Sequence, residues 1–273
     1  MNSSRKVARI AGIDISIHWT FLLLVGWVLF AGMSRGIASA LLEVVLLLSL
    51  FACVLLHELG HAAAARYFGV PTHGITLMPI GGVANLDRIP RNPRQELVIA
   101  LAGPAVNVFL VGLMLPLVAL LSDLGHFVSP LALGSSLLSR LMWMNVALAA
   151  FNLTPAFPMD GGRVLRALLA KRLDYRVATK WARNVGQVIA VLFVVFGAFY
   201  NPMLVLVALF ITMAAEAEYQ SVLKDYTPVL PAESSPVSKL VAGAAPRVPH
   251  AHTTWATRLP NGVVLIHQLG PTH

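Results

Sequence analysis

Cysteine is nearly absent: Cys53 is the only one in 273 residues. A single thiol excludes an internal disulfide framework and any Cys-rich metal site. Charge is scarce too, at 12% Asp, Glu, Lys and Arg, against about 25% in ordinary soluble domains. Acidic residues are the rarer sign, 12 against 20 basic ones, for a formal net charge of +8. The basic residues do not alternate with aromatics along one stripe, which argues against a nucleic-acid groove. They lie between apolar segments instead. Those segments dominate: 57% of residues are hydrophobic and the mean hydropathy is +0.75. The composition is that of a membrane protein.

A helix needs about 20 apolar residues to cross the hydrocarbon core. Measured against that length, the chain offers six runs, at about 16–34, 38–67, 96–122, 133–154, 184–200 and 202–218. Asn201-Pro202 reads as a tight turn between the last two. Basic residues before the first run show no small-residue cleavage pattern after it, so no cleavable signal peptide is expected. Cytoplasmic loops are enriched in Lys and Arg. With six spans and both termini cytoplasmic, 18 of the 20 basic residues fall on that side, and only Arg35 and Arg140 fall on the other. The expected fold is therefore an all-α polytopic membrane protein with six transmembrane helices.

Two stretches do not fit helices. Residues 70–90, VPTHGITLMPIGGVANLDRIP, are apolar but broken by Pro71, Gly74, Pro79 and Gly81-Gly82. They predict a small β-hairpin or sheet between helices two and three, associated with the membrane and lining protein or a polar cavity. The C-terminal stretch is rich in Pro, Ser and Ala, with WATRLPNGVVLIHQL able to form one hairpin around Asn261-Gly262. This divides the chain into a six-helix core, 1–220, and a cytoplasmic tail, 221–273.

The chemistry concentrates in LLHELGH, residues 55–61. His57 and His61 are one helical turn apart and face the same way. That spacing suits two imidazole ligands of one Zn²⁺, with Glu58 about 100° around the helix, beside the ion. Glu58 is then placed to take a proton from water, whose pKa zinc lowers to about 7. A chance match or a polar knot between helices is the alternative, and it is weakened because ionisable groups at membrane depth are costly and functional by default. A catalytic zinc needs a third protein ligand. Asp160, in FNLTPAFPMDGGR, residues 151–163, is the candidate, since Pro155 and Pro158 prevent a regular helix end and Gly161-Gly162 allow a turn. On spacing alone, Asp160 could equally cap a cytosolic helix starting DGGRVLRALL.

HELGH in one transmembrane helix, paired with N-x-x-P-x-x-P-M-D-G-G in a later one, resembles the site-2 proteases, a family of intramembrane zinc metalloproteases. GITLMPIGGVANL and LAGPAVN are similar to elements that family places between its metal-bearing helices. The resemblance covers about residues 10–220. It implies zinc, one ion per chain, held by His57, His61 and Asp160, with Glu58 as catalytic general base. It implies that Asn152, Gly81 and Gly82 contact substrate or the oxyanion, and that the 70–90 hairpin offers an edge strand to an unwound substrate. A transmembrane helix hides its peptide bonds in internal hydrogen bonds, so cleavage requires unwinding and new partners for the freed amides. Asn152 could serve the oxyanion or act as interhelical polar glue. The implied partners are a single-span membrane protein substrate and the lipid bilayer; no membrane regulatory partner is named by the sequence. The implied location is a bacterial or archaeal cell membrane.

The family's PDZ insertion has no room between the metal helices, and the tail is too short for a pair of CBS domains. The likeness is thus to the minimal, PDZ-less type. Gly103, Pro104 and Asn107 are expected to serve helix packing, His18 to be an interfacial anchor, Cys53 a packing residue, and Arg163 and Arg166 anchors at the cytosolic surface. The reading from a different class is a membrane zinc transporter or a catalytically silent metal-binding scaffold. Neither requires a carboxylate beside the two histidines, whereas hydrolysis does.

Overall fold

The computed structural model describes residues 4–79, 81–86, 90–121, 137–226, 254–258 and 264–268. The chain divides into two compact units, Met1–Tyr226 and Thr227–His273. The first opens with a hairpin, β1 (Ser4–Ile10) and β2 (Ile13–His18), turning through Ala11 and Gly12, both at positive φ. Such a two-residue turn matches the strands' right-handed twist. Helices α1 (Trp19–Gly32) and α2 (Ile37–Tyr67) follow, then strands β3 (Thr72–Met78) and β4 (Gly81–Leu86). After them come α3 (Pro93–Leu121), α4 (Leu137–Asn152), the short α5 (Asp160–Leu169), α6 (Tyr175–Phe199) and α7 (Met203–Tyr226). The second unit contains β5 (Thr254–Arg258) and β6 (Val264–Gln268), paired antiparallel. The expected tail hairpin thus has its two strands, and its Asn261-Gly262 turn lies outside the described residues.

The fold is mostly helical but not all-α. A four-stranded sheet has the order β1-β2-β3-β4, with β2 and β3 parallel and the outer pairs antiparallel. Only β3 and β4 fall where a hairpin was expected. The other half comes from SRKVARI and IDISIH, and in the latter Ile13, Ile15 and Ile17 alternate with polar residues as one face of a strand requires. Ile13 and Ile75 pack with Ala62 of α2, while Leu77 joins Phe21 and Phe51. The sheet therefore rests on the half of α2 that carries the histidines.

Among the described residues, four helices are long and apolar enough to cross a membrane: α2, α3, α6 and α7. Of the six expected spans, the first and fourth differ in length. The first loses its start to β2, leaving 14 residues in α1, about 21 Å at 1.5 Å per residue. The fourth has 16 residues in α4, about 24 Å, and the beginning of its apolar run lies outside the described residues.

Candidate metal centre

The 31 residues of α2 reach about 46 Å, longer than a hydrocarbon core of about 30 Å. His57 and His61 sit on its buried side, with their rings edge to face at 4.7 Å. Helix α3 abuts both rings and orients His61. His61 donates its Nδ1–H to the Ile99 carbonyl at 2.7 Å. In the neutral ring this fixes the tautomer and leaves the Nε2 lone pair free. Gly103, one turn further along α3, lies directly against Nε2 of both imidazoles, and a Cβ there would overlap them. Gly103 does serve packing, as expected, but its partners are the reactive faces of the two histidines.

Asp160 arrives from the other side. After α4, the segment through Thr154 and Met159 makes short backbone bonds, among them Ala156 N–H to the Thr154 carbonyl at 2.7 Å and Met159 N–H to the Ala156 carbonyl at 3.0 Å. Ala156 and Met159 are buried against Ala190 of α6 and Ala208 and Ile211 of α7, and Phe157 against Ala182 and Ala215. Gly161 and Gly162 are needed here for closeness rather than flexibility. A Cβ on Gly161 would strike the carbonyls of Leu153 and Thr154, and one on Gly162 would come within 2.7 Å of the Phe157 nitrogen. Asp160 is the first residue of α5; Met159 is the cap and makes no side-chain capping bond. The capping alternative for Asp160 is therefore not what the fold uses.

Asp160 Oδ2 lies 3.1 Å from His57 Nε2 and 3.1 Å from His61 Nε2, and the two Nε2 atoms are 3.1 Å apart. All three side chains are buried, and together they form a group whose ligand atoms converge. Ligands at 2.0–2.2 Å around a tetrahedral zinc stand about 3.3–3.5 Å from one another. The observed spacing is close to that. With its Nδ1–H given to Ile99, the neutral His61 ring turns its Nε2 lone pair to the Asp160 carboxylate, a repulsion that a cation between them relieves. Two imidazoles and one carboxylate are also a ligand set found at catalytic zinc sites, with a coordination position left over. The residues fit the ion.

Glu58 is half-buried next to this triangle. Gly82 of β4 touches it: a Cβ on Gly82 would lie 2.6 Å from Glu58 Cγ and 3.4 Å from Oε1. Gly81 has open space around it and φ of +134°. Asn152 ends α4, is half-buried, and its carboxamide makes no hydrogen bond among the described residues. Cys53 is buried and free, outside the metal group, as its packing role requires. His18 serves as the N-cap of α1, accepting from Thr20 N–H at 3.3 Å, rather than acting only as an interfacial anchor.

The largest departure from expectation is Arg166. It is not at the surface but fully buried, with its guanidinium against Glu96 of α3 and Glu218 of α7. Nothing in the one-dimensional pattern distinguished it from its neighbour Arg163. The spacing of Glu96 ahead of LAGPAVN, at the very start of an apolar run, was the available signal.

The geometry has counterparts among known proteins. The family model Peptidase family M50 matches residues 45–128 and 131–196, which include both metal-side segments. A zinc metalloprotease of Methanocaldococcus jannaschii is 42% identical over 219 residues, covering 80% of this chain and 61% of the relative. Stage IV sporulation protein FB of Bacillus subtilis is 29% identical over 156 residues, covering 56% of this chain and 48% of its own length. The chain thus spans less than two thirds of these relatives. Among solved structures, the site-2 protease from Methanocaldococcus jannaschii superposes with a TM-score of 0.57 at 38% identity, covering 79% of this chain and 95% of that one. With more than half its length matched and both metal-side segments inside the match, the chain belongs to peptidase family M50.

Proposed function

We propose that this protein is an intramembrane zinc metalloprotease that hydrolyses a peptide bond within or near the transmembrane segment of a membrane-tethered protein. The observation that carries this reading is the convergence of His57 Nε2, His61 Nε2 and Asp160 Oδ2 at 3.1 Å, buried between apolar helices. These three residues would hold the zinc. When bound, zinc supplies Lewis acidity, polarising a carbonyl and making water a usable nucleophile near neutral pH.

The chain's own groups supply the rest. The Glu58 carboxylate takes the proton of the attacking water and returns it to the leaving amine. Gly82 brings the β4 backbone against Glu58, so a substrate strand laid along β4 would pass beside the base. Strand β4 is an outer strand of the sheet, and its backbone can take the amides of an unwound substrate. Gly81, with no side chain to obstruct that edge, and the Asn152 carboxamide, which can donate to the developing oxyanion, complete the assignment. The proposed topology has six crossing helices with both termini cytoplasmic, supported by the placement of 18 of 20 basic residues. Residues 1–220 form the catalytic core and 221–273 a cytoplasmic tail.

The test is cleavage of a panel of tagged single-span substrates by purified protein in detergent, with bound zinc measured in parallel. Glu58→Gln is expected to retain zinc and to lose cleavage by at least about 10²-fold. Equal cutting by both proteins would show that Glu58 is not the base.

A further inference from the structure

Arg166 lies in the same ten-residue helix as Asp160 and is 0% exposed. Its Nε donates to Glu96 Oε1 at 2.7 Å, its Nη2 approaches the same oxygen at 2.5 Å, and its Nη1 donates to Glu218 Oε1 at 2.5 Å. The guanidinium plane lies over two rings, 5.0 Å from the centroid of Phe157 and 5.0 Å from that of Tyr175. Phe157 belongs to the segment that delivers Asp160. Glu96 belongs to α3 and stands one turn ahead of Ile99, which orients His61, and two turns ahead of Gly103, which lies against both imidazoles.

We propose that Arg166 is a positioning residue of the metal centre, which sets the separation between Asp160 and the histidine pair by locking α5 to α3. Helix α3 then acts as a shared gauge: one stretch of it orients His61 and abuts both imidazoles, and Glu96, a turn away, fixes the helix that carries the third ligand. The arginine is suited to this because its rigid fork holds two carboxylates in fixed directions while its faces stack on aromatics. A lysine ammonium has neither property.

The inference rests on the metal reading above, and its test is zinc affinity rather than cleavage. The full chain in detergent is titrated with zinc against a chromophoric chelator, alongside thermal unfolding of the metal-free protein. Arg166→Lys and Glu96→Gln are each expected to raise the zinc dissociation constant about 10–100-fold, the range seen when groups supporting metal ligands are altered. The double variant is expected to be no weaker than the weaker single one, because the two act as a unit. A purely structural role predicts a different pattern: a lower unfolding temperature with zinc affinity unchanged, and that result overturns the proposal. If Arg166→Lys does not fold, Glu96→Gln, of the same size and with an acceptor oxygen retained, carries the comparison with the same two outcomes. Wild-type protein that takes up no zinc sinks the metal reading and this inference together; variants equal to a zinc-binding wild type sink only the inference.

Discussion

Gly103 and Gly82 each face a functional side chain with only a hydrogen where a side chain would begin, and they give opposite predictions. A methyl at Gly103 would occupy the space of the imidazole Nε2 atoms, so Gly103→Ala is expected to weaken zinc binding at least about 10-fold, measured as metal content after dialysis. A methyl at Gly82 would press on Glu58 Cγ at 2.6 Å and leave the histidines untouched. Gly82→Ala is therefore expected to keep its zinc but lower kcat by about 10²-fold, the cost of displacing a catalytic group by about 1 Å. Wild-type turnover in Gly82→Ala would mean that Glu58 does not act from this position. At this scale the sequence was informative about reactive types and poor about their supports. His57, Glu58 and His61 announce themselves by spacing on one helix. Ile99 acts through a backbone carbonyl, which no residue identity encodes, and Arg166 differs from Arg163 only in which way its turn of helix faces.

At the level of elements, Gly161 and Gly162 let α5 begin in contact with the backbone that precedes it. Gly162→Ala, with its Cβ 2.7 Å from backbone atoms of Ala156 and Phe157, has no flexible neighbour to displace. It is expected to destabilise the protein by about 1–3 kcal/mol, read as a fall in unfolding temperature of the metal-free form. An unchanged temperature would mean that the segment relaxes and does not hold Asp160 rigidly. The helices were legible because hydrophobic length is the main signal of a membrane span, and β3 and β4 because Pro and Gly punctuate them. The N-terminal strands were obscured by the same signal. Ile15 and Ile17 count towards an apolar run when measured against a bilayer, and as one face of a strand when measured by alternation. The parallel pairing of β2 with β3 joins Ile15 to Ile75, a partnership set by how α1 and α2 fold back, which local pattern does not contain.

For the whole molecule, orientation is the property most open to test. Because Cys53 is the only cysteine and is buried, Cys53→Ser provides a background free of thiols. On that background Ser34→Cys is expected to react with an impermeant maleimide from outside intact cells, and Ser238→Cys only after the membrane is opened. The reverse pattern would invert the proposed topology. The crossover between the parallel strands has a consequence for synthesis. Strand β2 ends at His18 and its partner β3 begins at Thr72, so translation at 5–20 residues per second leaves roughly 3–11 s before β3 exists. During that interval the nascent hairpin presents Ile13, Ile15 and Ile17 beside an unpaired strand edge. Early expression should therefore depend on how quickly α1 and α2 fold and bring β3 back to cover it.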